Sequence, residues 1–179
     1  MASQDTDSEL AQRAAAGDRG AFAALAERHY DRVHALAWRW SGARAEAEDI
    51  AQDTMVKMAG AIRAFRGESA FATWLFRIAY TTAVDHIRAR SKVVAFSPAQ
   101  MAELSERADC ETPEDAAMND ELWRAVRRLP EQQRDAVLLV YGEDMSHGEA
   151  ATLMGCSEKT VSWHLHEARK RLKISLEAV

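Results

Sequence analysis

Three groups of side chains in this sequence have the types and spacing to recognise a partner. Thr73, Arg77, Thr81 and Arg88 recur at helical pitch between Phe65 and Arg90, with Trp74 at the edge of the stripe. Hydroxyls, guanidinium groups and one large aromatic suit a nucleic-acid strand whose bases can be unstacked. Asp49, Gln52 and Asp53 frame Val56 on the polar side of another helix pattern. An apolar residue among carboxylates and an amide suits a protein partner. Near the C-terminus, Ser157, Lys159, Thr160, Ser162, Trp163, His166, Arg169 and Lys170 occupy the non-apolar positions of a last helix. Each group has a plainer counterpart. The 65–90 stretch alone reads first as a buried core helix with a solvated edge. A lone exposed valine is common.

Reaction chemistry is not announced. The patterns GxxxxGK[ST], GxSxG and HExxH are absent. His164 and His166 stand two apart on a helix, which points them to different sides, a poor pair for one metal. The carboxylates lie at solvated helical spacings. The expectation is a binding protein, not an enzyme, with no metal and no cofactor.

The elements that must position these groups are all helical. A first short helix reads from Ser8 to Ala16 and stops at Gly17; Asp18 caps the next. There Phe22, Leu25, Ala26, His29, Val33, Leu36, Ala37 and Trp40 share one face until Ser41-Gly42 breaks the pattern. His29, on that face, reads as a core histidine. A third helix, about Ala43 to Ala64, turns Ile50, Ala51, Thr54, Met58, Ala61, Ile62 and Phe65 inward. The polar turn Arg66-Gly67-Glu68-Ser69 then leads into a long helix, with Ser69 as its cap. In that helix Phe71, Leu75, Ile78, Ala79 and Thr82 lie on one side and Phe76, Tyr80, Ala83 and Ile87 on nearly the opposite side. A helix that is apolar on two sides is buried between others.

Residues 91–112 read as a flexible linker, with Pro98, no sustained periodicity and an excess of acid. Pro113 opens a helix running to Leu129, and Glu131–Tyr141 forms another, ended by Gly142. Ser146-His147-Gly148-Glu149 is a capping box. The short helix it opens, the Gly155-Cys156 turn and the final helix capped by Ser157 make a helix-turn-helix. Val161, Leu165, Ala168 and Leu172 face inward in that last helix. The expected fold is all-α, with helical domains at 1–90 and 113–179.

Composition sets the outer bounds. Hydrophobic residues make up 47% and charged residues 28% of 179, ordinary for a globular protein. No apolar run approaches a membrane span, and the opening MASQDTDSEL does not read as a secretory signal. Cys110 and Cys156, far apart and outside any CxxC, point to a reducing, cytoplasmic setting and read as unrelated thiols, with a redox role left open. The net charge of −5 argues against strong DNA binding by the chain alone. Its distribution matters more: 91–115 is acidic, while 157–173 carries Lys159, Arg169, Lys170, Arg171 and Lys173 against Glu158 and Glu167.

Two stretches carry a resemblance. FRGESAFATWLFRIA…VDHIRAR resembles the region-2 signature of bacterial extracytoplasmic-function (ECF) sigma factors, with Tyr80 and Thr81 where the family usually has Arg-Asn. AEAEDIAQDTMVKM is similar to the helix by which that family docks on RNA polymerase, with Met55 in place of an aromatic. Residues 129–172 resemble sigma region 4, except that Ser162, Trp163, His164 and Glu167 replace Lys, Ser, Arg and Arg. The resemblance implies a promoter-specificity subunit serving a stress- or signal-responsive regulon. It implies core polymerase as a partner, through the β′ clamp helices and the β flap. Asp49, Gln52, Asp53 and Val56 would dock there. Arg66, Gly67, Glu68, Ser69, Thr73, Trp74 and Arg77 would hold the −10 element. Ser157, Lys159, Thr160, Ser162, Trp163, His166, Arg169 and Lys170 would meet the −35 element, and the acidic linker would thread toward the RNA exit channel. An inhibitory anti-sigma factor is usual in the family. The rival readings are a stand-alone helix-turn-helix regulator, for which no dimerisation or sensing element is visible, and a sigma-like decoy that titrates an anti-sigma factor.

Overall fold

The computed structural model describes residues 5–95 and 120–177, and every regular element among them is helical. Two compact units are present, Met1–Glu103 and Leu104–Val179. Pro98, Cys110, Pro113 and most of the expected linker lie outside the described residues.

In the first unit α1 is Asp7–Ala15, α2 Arg19–Ser41, α3 Arg44–Ala61 and α4 Phe71–Ala95, with a 3-10 turn at Ile62–Ala64 after α3. The caps explain the boundaries. Thr6 and Glu9 form a capping box on α1, Asp18 accepts from the Ala21 N–H at 3.0 Å, and Gly42 ends α2 in the left-handed conformation at φ 72°. α4 starts one residue later than expected: the Ala70 carbonyl accepts the Trp74 N–H at 3.1 Å, so Ala70, not Ser69, is its cap residue. At its other end α4 runs through Ala95, into the stretch read as linker. The sequence there contains no proline or glycine before Pro98, so nothing local stops the helix at residue 90.

The core of this unit lies where α2, α3 and α4 meet. Leu25, Val33, Leu36, Ile50, Met58 and Leu75 have no exposed surface. Both predicted apolar sides of α4 are used. Phe71, Leu75 and Ala79 are buried, and so are Phe76, Tyr80 and Ala83. Trp40 of α2 meets Tyr80 edge-on with ring centroids 5.7 Å apart. The hydroxyl of buried Thr54 donates to the Ile50 carbonyl at 2.7 Å, which satisfies a polar group without a tertiary partner.

His29 is a core histidine with a specific partner. Its Nε2 lies 2.8 Å from Asp7 Oδ2, and Arg28 reaches the other Asp7 oxygen at 2.6 Å. α1 is thereby pinned to the middle of α2. The His29 ring also packs 5.3 Å from Phe71, so one imidazole touches α1 and α4 together.

In the second unit α5 is Asp120–Arg127, α6 Glu131–Val137, α7 His147–Met154 and α8 Glu158–Glu177. α6 does not continue to Gly142 as an α-helix. Its last turn, Leu138–Gly142, widens into π form, and the Glu143 N–H bonds back to the Leu138 carbonyl at 3.1 Å. The wider turn accommodates two adjacent leucines, Leu138 and Leu139, both fully buried. With Val126, Val161, Leu165 and Ala168 they form the core. A buried ion pair, Arg134 to Asp135 at 2.9 Å, lies on α6.

The Asp7 contacts make a pH-dependent clamp. Burial pushes the Asp7 carboxyl up, but hydrogen bonds from Arg28 and His29 outweigh that and hold it below the ordinary aspartate range. Stability from a depressed carboxylate is present above about pH 4 and is lost as pH falls through the lower folded value. Asp7→Asn is expected to weaken the α1 clamp by about 1.5–3 kcal/mol at pH 7, the usual range for hydrogen bonds to a charged group. Amide exchange of α1 from pH 7 down to pH 3 measures both effects. Equal α1 protection in the two proteins across that range would show that the contact does not hold the helix.

Candidate binding surfaces

The outer face of α3 carries Asp49, Gln52, Asp53 and Val56, all exposed. Val56 leaves 71% of its surface in water, the largest exposure of any big apolar side chain described. The helix geometry brings the four together as the sequence predicted. Packing adds what the sequence did not suggest. Asp53 is met by His86 Nε2 of α4 at 2.7 Å, Glu46 by Arg90 at 2.6 Å, and Lys57 stands 3.9 Å from Asp85. These contacts run along the α3–α4 seam and hold the rim of the Val56 face in place. Nothing local could have exposed them, since His86 lies 33 residues from Asp53. Met55 is half-buried, an apolar filler beside the face.

Arg66, Gly67 and Glu68 stand exposed in the turn before α4, and Ser69 is half-buried. Gly67 has φ 73°, where a side chain is disfavoured, although a Cβ there would meet nothing within 4 Å. The glycine serves the backbone path, not a close approach. Aromatic rings support the turn from both ends. Phe65 and Phe71 lie 5.7 Å apart edge-on, and Trp74 packs 5.2 Å from Phe65 and 5.7 Å from Phe71. A polar loop clamped between such rings is a stiff platform.

Thr73, Trp74 and Arg77 follow on α4, each half-buried, and the Arg77 Nε is buried without a hydrogen-bond partner. The Thr81 hydroxyl turns back on its own helix, donating toward the Arg77 and Ile78 carbonyls at 3.0 and 2.9 Å. The two departures from the family pattern thus differ in kind. Tyr80 belongs to the core against Trp40, and only Thr81 faces solvent.

The helix-turn-helix is formed by α7, Gly155 and α8. Ser146 and Glu149 close the capping box on α7, and Gly155 turns the chain at φ 65°. Half-buried Cys156 follows in the turn. Ser157 accepts the Thr160 N–H at 3.1 Å, and the two hydroxyls lie 2.8 Å apart. Ser162 pairs with His147 Nδ1 at 3.0 Å, tying α8 to the start of α7. At Gly148 a Cβ would come within 3.1 Å of Glu158 Oε1, so a larger residue there would have to displace that carboxylate slightly.

Further along, Arg169 donates to the Tyr141 hydroxyl and lies 5.6 Å over its ring, and Lys170 pairs with Glu167 at 3.0 Å. That Lys170 hydrogen bond holds the Glu167 carboxyl below its ordinary range. Lys159, Trp163 and His166 complete the outer surface, Trp163 at 57% exposure. His164 turns toward the interior, and burial lowers its pKa. Tyr141 and His147 were not read as parts of this surface. They lie on other helices and reach it only through packing.

Among the described residues no helix is long and apolar enough to cross a membrane. The family descriptions Sigma-70 region 2 and Sigma-70 region 4 match residues 25–93 and 119–172. The chain is 35% identical to the RNA polymerase sigma-H factor of Pseudomonas aeruginosa, covering 99% of this chain and 97% of that one. It is 32% identical to the ECF RNA polymerase sigma-E factor of Haemophilus influenzae, covering 99% and 98%. Among solved structures it is similar to CnrH in complex with the cytosolic domain of CnrY, at 29% identity and TM-score 0.70, covering 97% and 99%. It is also similar to the sigma factor RpoE in complex with the anti-sigma factor NepR from Bartonella quintana, at 25% identity and TM-score 0.70, covering 83% and 91%. With a region-2 unit, a region-4 helix-turn-helix and near-complete alignment to such relatives, the chain belongs to the ECF sigma factors of RNA polymerase.

Proposed function

We propose that this protein is the promoter-specificity subunit that directs RNA polymerase to a signal-responsive set of genes, acting in the cytoplasm as a transcription regulator and not as a catalyst. The observation that carries the reading is the presence on one chain of a solvated docking face, a stiff polar turn and a helix-turn-helix, in the order of its full-length relatives. Residues 1–90 engage core and open the −10 element, 91–112 connect, and 113–179 bind the −35 element beside the β flap.

Asp49, Gln52, Asp53 and Val56 form the docking face for the β′ clamp helices. Val56 supplies the desolvated centre and the polar residues its rim. Arg66, Gly67, Glu68 and Ser69, with Thr73, Trp74 and Arg77, form the −10 site. Extruding a base costs a few kcal/mol, offset when the base enters a protein pocket. The aromatic support of the turn keeps that pocket in shape before DNA arrives. At the −35 element Ser157 and Thr160 set the start of α8, while Lys159, Ser162, Trp163 and His166 face the duplex. Arg169 and Lys170 hold phosphates.

The net charge of −5 assigns the polymerase a further task. An acidic chain gains little from counterion release at long range. Core must supply much of the DNA attraction. An anti-sigma factor is the expected inhibitory partner, and the RpoE structure shows that sigma factor in complex with an anti-sigma factor. A decoy that only titrates such a partner would have no use for the −10 turn and the DNA-facing helix.

Run-off transcription with purified core tests the reading. Specific initiation is expected with the holoenzyme, and no initiation from any selected promoter would refute it. Asp49→Arg should weaken core association at least tenfold, on the order of a lost rim-to-core charge match, with unchanged melting because Asp49 is exposed. Normal core affinity in that variant would remove α3 as the docking face. Arg169→Ala should weaken holoenzyme binding equally for all −35 sequences and make the salt slope shallower by about one. A changed base preference would reassign Arg169 to base reading.

A further inference from the structure

The inner half of the −35 helix has few polar groups left to read bases. Ser157 and Thr160 engage each other, and Ser162 engages His147. Lys159 is the one cation in the first two turns of α8, and Arg169, Lys170, Arg171 and Lys173 all lie beyond Ala168. Between these stands Trp163, with 57% of its surface in solvent. It lies four residues after Lys159 and three before His166, so the three share a face. Its only ring contact among the described residues is to His164, edge-on at 5.0 Å. The resembled family pattern has a small polar serine at this position.

An indole this exposed costs hydration unless something covers it. It stands in the N-terminal half of the second helix of a helix-turn-helix, the part that enters the major groove. Cations lie before and after it on the same helix, so the face suits a polyanion better than an apolar protein groove. In the major groove the one apolar group on a base edge is the thymine 5-methyl. We infer that Trp163 reads the −35 element by apolar contact with a thymine methyl group, making this promoter class depend on thymine at that step instead of on bidentate arginine–guanine pairing. The inference rests on the −35 role given to α8 above.

The test begins by selecting preferred −35 duplexes with holoenzyme from a random library, then replacing each selected thymine singly by deoxyuridine, which removes only the methyl. The wild-type holoenzyme should lose about fourfold in affinity at one or two positions, the equilibrium factor for one methyl-sized apolar contact. In Trp163→Ala holoenzyme the same replacement should have no further effect, while Lys159→Ala should keep it. The melting temperature of Trp163→Ala should match wild type, as the side chain is exposed. The inference is overturned if no thymine responds in wild type, or if Trp163→Ala keeps the full deoxyuridine penalty. It is equally overturned if Trp163→Ala lowers core association with the thymine response intact, which would make Trp163 a protein contact. A holoenzyme that enriches no −35 sequence at all refutes the parent reading, and is distinguished by that failure at the selection step.

Discussion

Burial of α4 on two opposite sides is the constraint on which the first unit depends. Phe71, Leu75 and Ala79 leave no room for solvent on one side, and Phe76, Tyr80 and Ala83 leave none on the other. A rod held that way cannot rotate or slide without exposing large apolar side chains, each worth roughly 1.5–3 kcal/mol of burial. Everything functional in the unit is referenced to it. The polar turn Arg66–Ser69 is its N-terminal lead-in, Thr73 and Arg77 lie half-buried along its edge, and α3 meets it through the Asp53–His86, Glu46–Arg90 and Lys57–Asp85 contacts along their seam.

This arrangement separates stability from recognition. The core is built from the inner faces of α2, α3 and α4, while the proposed contacts with polymerase and DNA use residues whose removal leaves the core untouched. Trp74 is the exception, since it supports the turn through Phe65 and Phe71 and also faces outward. Damage there would mix folding with recognition. The second unit follows the same division. Leu138, Leu139, Val161 and Leu165 hold the helices, and the outer face of α8 is left in solvent.

Charge is arranged unusually for a DNA-directed protein. Two cations of α8 are already engaged by neighbours, Lys170 by Glu167 and Arg169 by Tyr141. A cation held in place loses less side-chain entropy on meeting a phosphate, but must share or leave its first partner. Pre-positioning thus lowers affinity for DNA in general while fixing the geometry for a particular duplex. That fits a subunit whose DNA binding is meant to operate within a larger assembly.

The helices, their caps and the two-sided character of α4 were legible in the sequence, because these depend on residues three or four apart. Asp18 and Ala21, and Ser146 and Glu149, act within one turn, and amphipathic spacing reports burial directly. The shared faces of Asp49, Gln52, Asp53 and Val56 and of the outer α8 residues could be named for the same reason, while the roles proposed for them come from the family resemblance. Local signals were less exact where backbone and packing compete: the cap of α4 falls on Ala70, and α6 ends in a π turn that seats Leu138 and Leu139. Only the tertiary structure decided that His86 braces Asp53, and that Ser162 and Arg169 are engaged by His147 and Tyr141. Those pairs lie 15 to 33 residues apart. Their meeting is set by where helices cross, which no periodicity within a single helix encodes.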